Sequence, residues 1–521
     1  MRRLLLVLMT ISGAAGFLSN VRDARAASTD HAYGLVEEQR IEEAAKEIDV
    51  LVKNRPHDPE VAFVEGDLLL HRGEYARAAD RLGEAAGKLR GRVGEEAKEL
   101  RDLAHATDEV TKGYVALRGP HFVVWHQPGR DDLLAPYALE TLEKALAALG
   151  DDLGWRPTEP VRVEIYPEVA DLARVSTLTL KEIETSGTIA LCKYNRLMIV
   201  SPRALIAGYP WRDTLNHELT HYVVTRMSHN TVPIWLHEGI AKYEEQRWRG
   251  PSGGALTPVM EHLLASAIAR KHLITFAEMH PSMAKLPSQE DTALAFAEVY
   301  TVVDFLHERD GWAGVRGLIK RFTDADRGKA SAPDPAEFEN AWRTWLRGRK
   351  FRMHPGILPA ETQLRFKKGA GKPTEASEDD SARIGEERAR KFARLGGMLR
   401  ARHRLVAAAI EYEKAAAIVG AGHPSVANKL ARTYLELGDP TKAIAAAEPA
   451  LELYPDQAAP NATLGEAWLR KNDNKKAAQY LEAALAVNPF DPAVHCGLAQ
   501  AYRALKDGRA DAEAGACQTL K

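Results

Sequence analysis

The sequence predicts a multidomain α+β chain in which a mixed-sheet domain, carrying two helices that bear histidine and glutamate, lies between helical repeats. Three observations predict it. A 34-residue periodicity runs through the C-terminal quarter, short β-branched and aromatic runs alternate with amphipathic stretches after Gly119, and a His-Glu-x-x-His pentad stands in the middle of the chain. At 521 residues the chain is too long for one core, since single cores rarely grow past roughly 250–300 residues. Apolar residues make up 45% and charged residues 27%, which excludes wholesale disorder and a polytopic membrane protein. Seventy Lys and Arg against 72 Asp and Glu give a net charge of -2. No electrostatic excess is available to drive binding to phosphate backbones, so nucleic acid is not an expected partner.

Residues 1–26 have the form of a secretory signal peptide. Arg2 and Arg3 precede an apolar run from Leu4 to Ile11, and Ala24-Arg25-Ala26 has the small-x-small pattern of a cleavage site. The stretch from Leu4 to Leu18 is shorter than the roughly 20 residues a spanning helix needs. Cleavage after Ala26 removes four arginines and one aspartate, which takes the net charge from -2 to -5. The expected product is exported, periplasmic or in the cell envelope, with no membrane span once the signal is removed.

Residues 27–117 are expected to form a short helical-repeat region. Pro59 precedes Gly73 by the same offset that separates Pro424 from Gly438, and Ala78 sits where Ala443 would. Residues 390–521 show the full pattern. Ala409, Ala443 and Ala477 recur every 34 residues, as do Leu430, Leu464 and Leu498, and Tyr434, Trp468 and Tyr502. Small residues at that period let paired helices approach while aromatics fill the gaps. The stretch resembles a tetratricopeptide array of three to four repeats, its last losing the small residue to Asp511. The resemblance implies a concave surface for a protein partner or substrate; a spacer that positions its neighbour is the other reading. Residues 353–389 are expected to be a linker, flexible from Lys367 on, where Lys, Gly, Glu, Asp and Ser replace apolar residues.

Residues 118–352 carry the chemistry. His121–His126 and Val161–Tyr166 read as strands around a helical stretch from Leu133 to Leu149. A further pair, Gly187–Cys192 and Leu197–Val200, is joined across Asn195, which suits a hairpin turn. The pattern turns helical after Trp211, where His217-Glu218-Leu219-Thr220-His221 stands. Residues four apart lie one turn above each other, so both imidazoles can converge on one ion. Glu218 is rotated about 100° from His217 and can reach an ion-bound water without being a ligand, the position of a general base. A second helix, Pro233–Glu245, offers Glu238 as an oxygen ligand; two histidines, a glutamate and a water complete a catalytic tetrahedral site. The adjacent His237 is the rival ligand, but it points about 100° away from Glu238, so both are not expected to serve. The extended pattern that ends in a third histidine fails at Val224 and Met227.

These joined motifs, with Pro233, Trp235, Leu236, Glu238, Gly239, Ala241 and Tyr243 in the second helix, resemble the bacterial peptidase-MA-like families of gluzincin metallopeptidases. The resemblance covers roughly Gly119 to Lys350. It implies a gluzincin-like fold, with a mixed sheet and zinc-binding helices, in which His217, His221 and Glu238 bind one Zn2+ and Glu218 activates water against a peptide carbonyl. The strand from Gly187 to Cys192 would line the cleft. In related gluzincins a tyrosine some sixty residues past the glutamate ligand stabilises the oxyanion, and Tyr300 has about that spacing; a core aromatic on an amphipathic helix is its structural alternative. The aminopeptidase branch carries a Gly-x-Met-Glu-Asn strand, and no such sequence precedes His217 here. That favours an endopeptidase, or some other peptide hydrolysis, over an aminopeptidase. The rival reading is an envelope scaffold whose peptidase-like domain is structural or degenerate. Cys192 reads as a small buried apolar residue, while Cys496 and Cys517 would be able to pair in an oxidising compartment.

Overall fold

The computed structural model describes residues 28–250, 255–283, 286–358, 364–367 and 384–521. The signal peptide expected at 1–26 lies outside the described residues. After it, α1 (Thr29–Glu37), α2 (Ile41–Asn54), α3 (Pro59–His71), α4 (Tyr75–Lys88) and α5 (Gly91–Thr111) form an all-helical unit. Asp58 caps α3 through the Glu60 N–H, Pro59 sits in its first turn, and Gly73 ends it at a φ of 75°. A Cβ on Gly66 would meet Leu82 at 2.6 Å, so α3 and α4 pack at glycine contact.

A five-stranded mixed sheet follows, built from β1 (Val115–Arg118), β2 (Phe122–His126), β3 (Val161–Tyr166), β4 (Ala190–Lys193) and β5 (Arg196–Val200) in the order β1-β2-β3-β5-β4. The pairs β2/β3 and β3/β5 are parallel, while β1/β2 and β4/β5 are antiparallel. The crossover helix α6 (Leu134–Leu153) buries Leu142, Leu146 and Leu149 in the main core with Val124, Val163 and Ile199. Tyr194 and Asn195 both adopt positive φ, 53° and 56°, in the two-residue β4–β5 turn. Two local expectations need correction. Gly187 is not in a strand: it ends α8 (Leu180–Ser186), which follows α7 (Val169–Val175), at a φ of 74°, and β4 starts at Ala190. The sheet also begins earlier than expected, at Val115 in β1.

The metal-motif helix is α9 (Trp211–Ser228), followed by α10 (Ile234–Glu244), α11 (Pro258–Arg270), α12 (Phe276–Met279), α13 (Gln289–Asp326) and α14 (Pro335–Arg347). Gly311 breaks α13 with a φ of 60° and a ψ of -168°. The C-terminal array comprises α15 (Glu387–Ala401), α16 (Leu405–Val419), α17 (Pro424–Glu436), α18 (Pro440–Leu453), α19 (Ala458–Arg470), α20 (Asn474–Leu485), α21 (Pro492–Leu505) and α22 (Ala510–Leu520). The 34-residue alanines Ala443 and Ala477 are fully buried. Gly465 would meet Leu481 at 2.4 Å if it carried a Cβ, with the sixteen-residue offset seen between Gly66 and Leu82, so both repeat regions use the same helix contact. A disulfide joins Cys496 to Cys517, with Cα atoms 5.1 Å apart. Within the expected linker, residues 364–367 are packed against the middle domain: Leu205 bridges to Phe366 and the Ile206 N–H donates to the Arg365 carbonyl at 3.0 Å. Residues 359–363 and 368–383 lie outside the described residues. No helix among the described residues is long and apolar enough to cross a membrane.

Both helical regions dock on the middle domain. In the N-terminal unit the Tyr75 hydroxyl donates to Glu164 on β3 at 2.5 Å, the His71 ring meets Tyr194 at the hairpin tip, and Glu42 pairs with Arg226 on α9 at 2.6 Å. In the C-terminal array the Val487 carbonyl accepts from the Tyr209 N–H at 3.1 Å and the Leu485 carbonyl from Trp211 Nε1 at 3.3 Å. Gly208, at a φ of 73°, permits that approach, because a Cβ there would lie 2.2 Å from the Val487 oxygen.

Candidate metal centre

The residues of α9 and α10 meet because each position of the second motif has a packing task. Trp235 stacks on Phe276 with centroids 4.3 Å apart and planes 6° from parallel, and Phe338 lies 5.1 Å away. Leu236 and Ala241 are fully buried. Gly239 lets α10 lie against α13, since a Cβ there would be 2.7 Å from the Val299 carbonyl oxygen. The Asn216 amide on α9 donates to the Glu244 carbonyl at 2.5 Å and ties the two helices together. The result points Glu238 at the two histidines of α9.

His217 Nε2 and His221 Nε2 are 3.1 Å apart, and Glu238 Oε2 lies 3.4 Å from each. A tetrahedral ion bound at about 2.0–2.1 Å sets neighbouring ligand atoms roughly 3.3–3.4 Å apart. The donor set therefore has the size and the chemistry of a zinc site with three protein ligands, and it is the group of this kind among the described residues. The surrounding charge suits a cation as well. Burial pulls the His217 imidazole down, but Glu238 and Glu245 overcome it and push it up to about 10. Glu245 stands behind His217, with Oε2 3.6 Å from Nδ1; burial raises its carboxyl, yet Lys242 and His217 hold it down at about 2.

Glu218 is 7% exposed and outside the trio. Burial raises its carboxyl, and His221 and His217 work against that rise. The nearby Cys192 backbone N–H also acts to lower it. The Ile189 carbonyl accepts from the Val200 N–H at 2.8 Å, so by the two-residue alternation of a strand Ala190 and Cys192 turn their backbone groups to the free edge of β4. That edge runs beside Glu218. The Cys192 thiol is raised well above its usual value by burial and by Glu218.

His237 is not among the ligands. Its Nδ1 is 2.6 Å from His221 Nδ1 and its Nε2 3.0 Å from Thr225 Oγ1; burial and then His221 depress it to about 3. Tyr300 is 7% exposed and its ring packs 5.1 Å from that of Tyr243. Burial, followed by Tyr243 and Asp304, raises its hydroxyl. Phe296, one turn earlier on α13, is the aromatic whose ring faces His217, at 6.3 Å. Sequence reasoning weighed His237 only as a rival ligand and missed its supporting place, and it missed Glu245. Both stand on or at the end of α10 and were open to the question of what holds the far nitrogen of each histidine.

Residues 141–348 match the model of the Peptidase MA superfamily, and residues 29–92, 428–492 and 462–521 match that of a tetratricopeptide repeat. No curated protein matches the chain. Among solved structures, one of MamA is 22% identical over 24% of this chain and 71% of its own, with a TM-score of 0.22. A yeast LTA4 hydrolase in complex with bestatin is 15% identical over 78% of this chain and 67% of its own, with a TM-score of 0.29. The APC/C hetero-tetramer Cut9-Hcn1 is 13% identical over 95% of this chain and 80% of its own, with a TM-score of 0.26.

Proposed function

Because the chain carries a Peptidase MA superfamily domain between tetratricopeptide repeats, we propose that it is a zinc-dependent peptide-bond hydrolase acting as an endopeptidase. One observation carries this reading: three ligand atoms at tetrahedral spacing lie beside a fourth, buried and non-ligating carboxylate, that of Glu218. His217, His221 and Glu238 would hold the ion. Zinc bound there would supply Lewis acidity to a scissile carbonyl and lower the pKa of a water towards about 7.

The chain's own groups do the rest. The backbone groups of Ala190 on the free edge of β4 pair with an extended substrate and align its scissile bond with Glu218. Glu218 accepts a proton from the attacking water and returns it to the leaving nitrogen.

Metal content by elemental mass spectrometry, measured with peptide cleavage, tests the reading. Wild type and Glu218→Gln should each hold about one zinc, Glu238→Ala much less, and Glu218→Gln should be inactive. Full activity in Glu218→Gln would refute the mechanism. Wild type without zinc after reconstitution would leave a repeat scaffold with a degenerate site.

The repeats are protein-interaction modules, and we assign them the docking of a protein substrate or partner. Export is supported by the N-terminal pattern and by the Cys496–Cys517 disulfide, which suits an oxidising compartment. N-terminal sequencing of the mature protein should read Ala27 first; an intact Met1 would refute cleavage after Ala26.

A further inference from the structure

Resting on the reading of His217, His221 and Glu238 as a zinc site, we propose that His237 is a positioning residue that holds the His221 imidazole in the tautomer and orientation a metal ligand needs. His221 turns Nε2 to His217 and Glu238, at 3.1 and 3.4 Å. An imidazole that lends its Nε2 lone pair to an ion carries its proton on Nδ1, and that proton requires an acceptor. At 2.6 Å from His221 Nδ1, the Nδ1 of His237 is that acceptor. The two ring planes are 14° from parallel with centroids 4.6 Å apart. The nitrogens are thus much closer than the centroids, so the rings meet edge to edge, as an N–H···N bond requires, and not face to face.

The donor count then closes without a stray proton. With its Nδ1 lone pair engaged, His237 carries its proton on Nε2 and donates it to Thr225 Oγ1 at 3.0 Å. Thr225 stands four residues after His221 on α9, one turn along the same face. The sequence His221 to His237 to Thr225 therefore starts and ends on α9 and passes through α10. A carboxylate or a backbone carbonyl usually takes the outer N–H of a ligating histidine; here a second neutral imidazole does so.

The same arrangement explains why His237 and Glu238 stand side by side. About 100° of helical rotation separates them, and they use it to reach two edges of one ring, Glu238 at the Nε2 side and His237 at the Nδ1 side. A residue that competes with Glu238 for the ion on grounds of spacing becomes its support. Position 237 is also fixed locally, since its backbone N–H donates to the Pro233 carbonyl at 3.0 Å.

The test is the zinc affinity of the full chain, measured by competition with a chromophoric chelator, for wild type, His237→Phe, His237→Leu and His237→Gln. Phenylalanine and leucine fill the space without an acceptor, whereas the glutamine side-chain oxygen accepts. Loss of an outer partner typically weakens metal binding about 10–100-fold, and that loss is expected in the Phe and Leu variants. His237→Gln should recover affinity to within a few-fold of wild type, and Thr225→Val should sit between. Thermal unfolding of the metal-free proteins accompanies each titration, so that lost packing, which would not separate Gln from Leu, is told from lost positioning. Wild-type affinity in Phe or Leu, or equal weakening in Gln and Leu, would overturn the proposal while leaving the zinc site standing. A wild type that binds no zinc would overturn the zinc site, and this proposal with it.

Discussion

Replacing Glu164 by glutamine changes one charge in a fully buried polar cluster of the middle domain and should destabilise it by about 3–5 kcal/mol. The Glu164 side chain is fully buried on β3. Its carboxylate accepts from Tyr75 Oη at 2.5 Å, Arg162 Nε at 2.5 Å and the Tyr166 hydroxyl, and lies 3.4 Å from Arg196 Nε. Arg196 is 1% exposed, and its other contacts are the Tyr75 ring at 4.8 Å and the Val175 carbonyl at 3.2 Å. Glutamine keeps the volume but leaves that guanidinium charge without a counter-charge in the interior, the circumstance in which breaking a buried pair is most costly. With a urea slope of about 3 kcal/mol/M, the unfolding midpoint should fall by roughly 1–1.7 M. Trp125 fluorescence is a suitable probe, because its ring lies under Arg162 at 4.4 Å. The double variant Glu164→Gln with Arg196→Met removes both charges and should recover more than about 1 kcal/mol of the loss. The pH dependence has a definite sign. Burial alone would raise this carboxyl, but Arg196 and Arg162, with the two hydroxyls, hold it below its usual value. Its contribution is therefore full above the unfolded value of about 4.3 and is lost as pH falls through the lower folded value. The gap between wild type and Glu164→Gln should narrow below about pH 4.3. A midpoint shift under about 0.3 M at neutral pH would refute the argument.

Gly239→Ala should displace α10 from α13, because the new Cβ would sit 2.7 Å from the Val299 oxygen and 3.0 Å from Val303; overpacking of this kind costs about 1–3 kcal/mol, and chelator competition should show weakened zinc binding. Tyr300→Phe separates packing from oxyanion stabilisation: a hydroxyl buried beside Tyr243 predicts less than a tenfold loss of kcat, whereas loss of an oxyanion donor costs about 10²–10³. Removing the Cys496–Cys517 bond, whose partners are 21 residues apart, should cost about 3 kcal/mol on the chain-entropy account. The loss should be local to α22, where Glu513 accepts from Tyr137 at 2.7 Å, so unchanged amide exchange there after cysteine-to-serine replacement would contradict it.

What was legible follows from range along the chain. The repeats declare themselves in a period of 34 residues, and Ala443, Ala477, Leu464 and Leu498 all end in the core. The triad is legible because His217 and His221 are one turn apart and Glu238 stands in its own motif. The failures have physical causes. Val115–Arg118 is exposed along its whole length, so it carries no alternation to read. Gly187 leads into the apolar run Thr188–Cys192, yet the capping box between Thr179 and Glu182 makes 180–186 a helix that Gly187 ends, a signal that was present and outweighed by the β-branched residues further on. The docking contacts Tyr75–Glu164 and Trp211–Leu485 join residues 89 and 274 positions apart, and no local pattern encodes them.

Those long-range contacts bear on how the repeats relate to catalysis. The array's Leu485 carbonyl binds Trp211, the first residue of α9, and Glu42 of the N-terminal unit binds Arg226 in its last turn. The helix that carries both histidines is thus held at its two ends by different repeat regions. Deleting Arg390–Lys521 would bare Trp211, which is fully buried, and would cost activity whether or not the array recruits substrate. A substitution that leaves the dock intact separates the two roles. Between the array and residues 206–207 lies a cavity of about 280 Å³, lined by Asn428, Gln457 and Asn488 among others. Gln457→Trp would fill it, and unchanged zinc affinity in that variant would show that the dock at Leu485 and Val487 is intact. Recruitment through this surface predicts a large loss of protein-substrate cleavage with short-peptide cleavage unchanged. Equal effects of the substitution on the two substrates would assign the array to holding α9 in place.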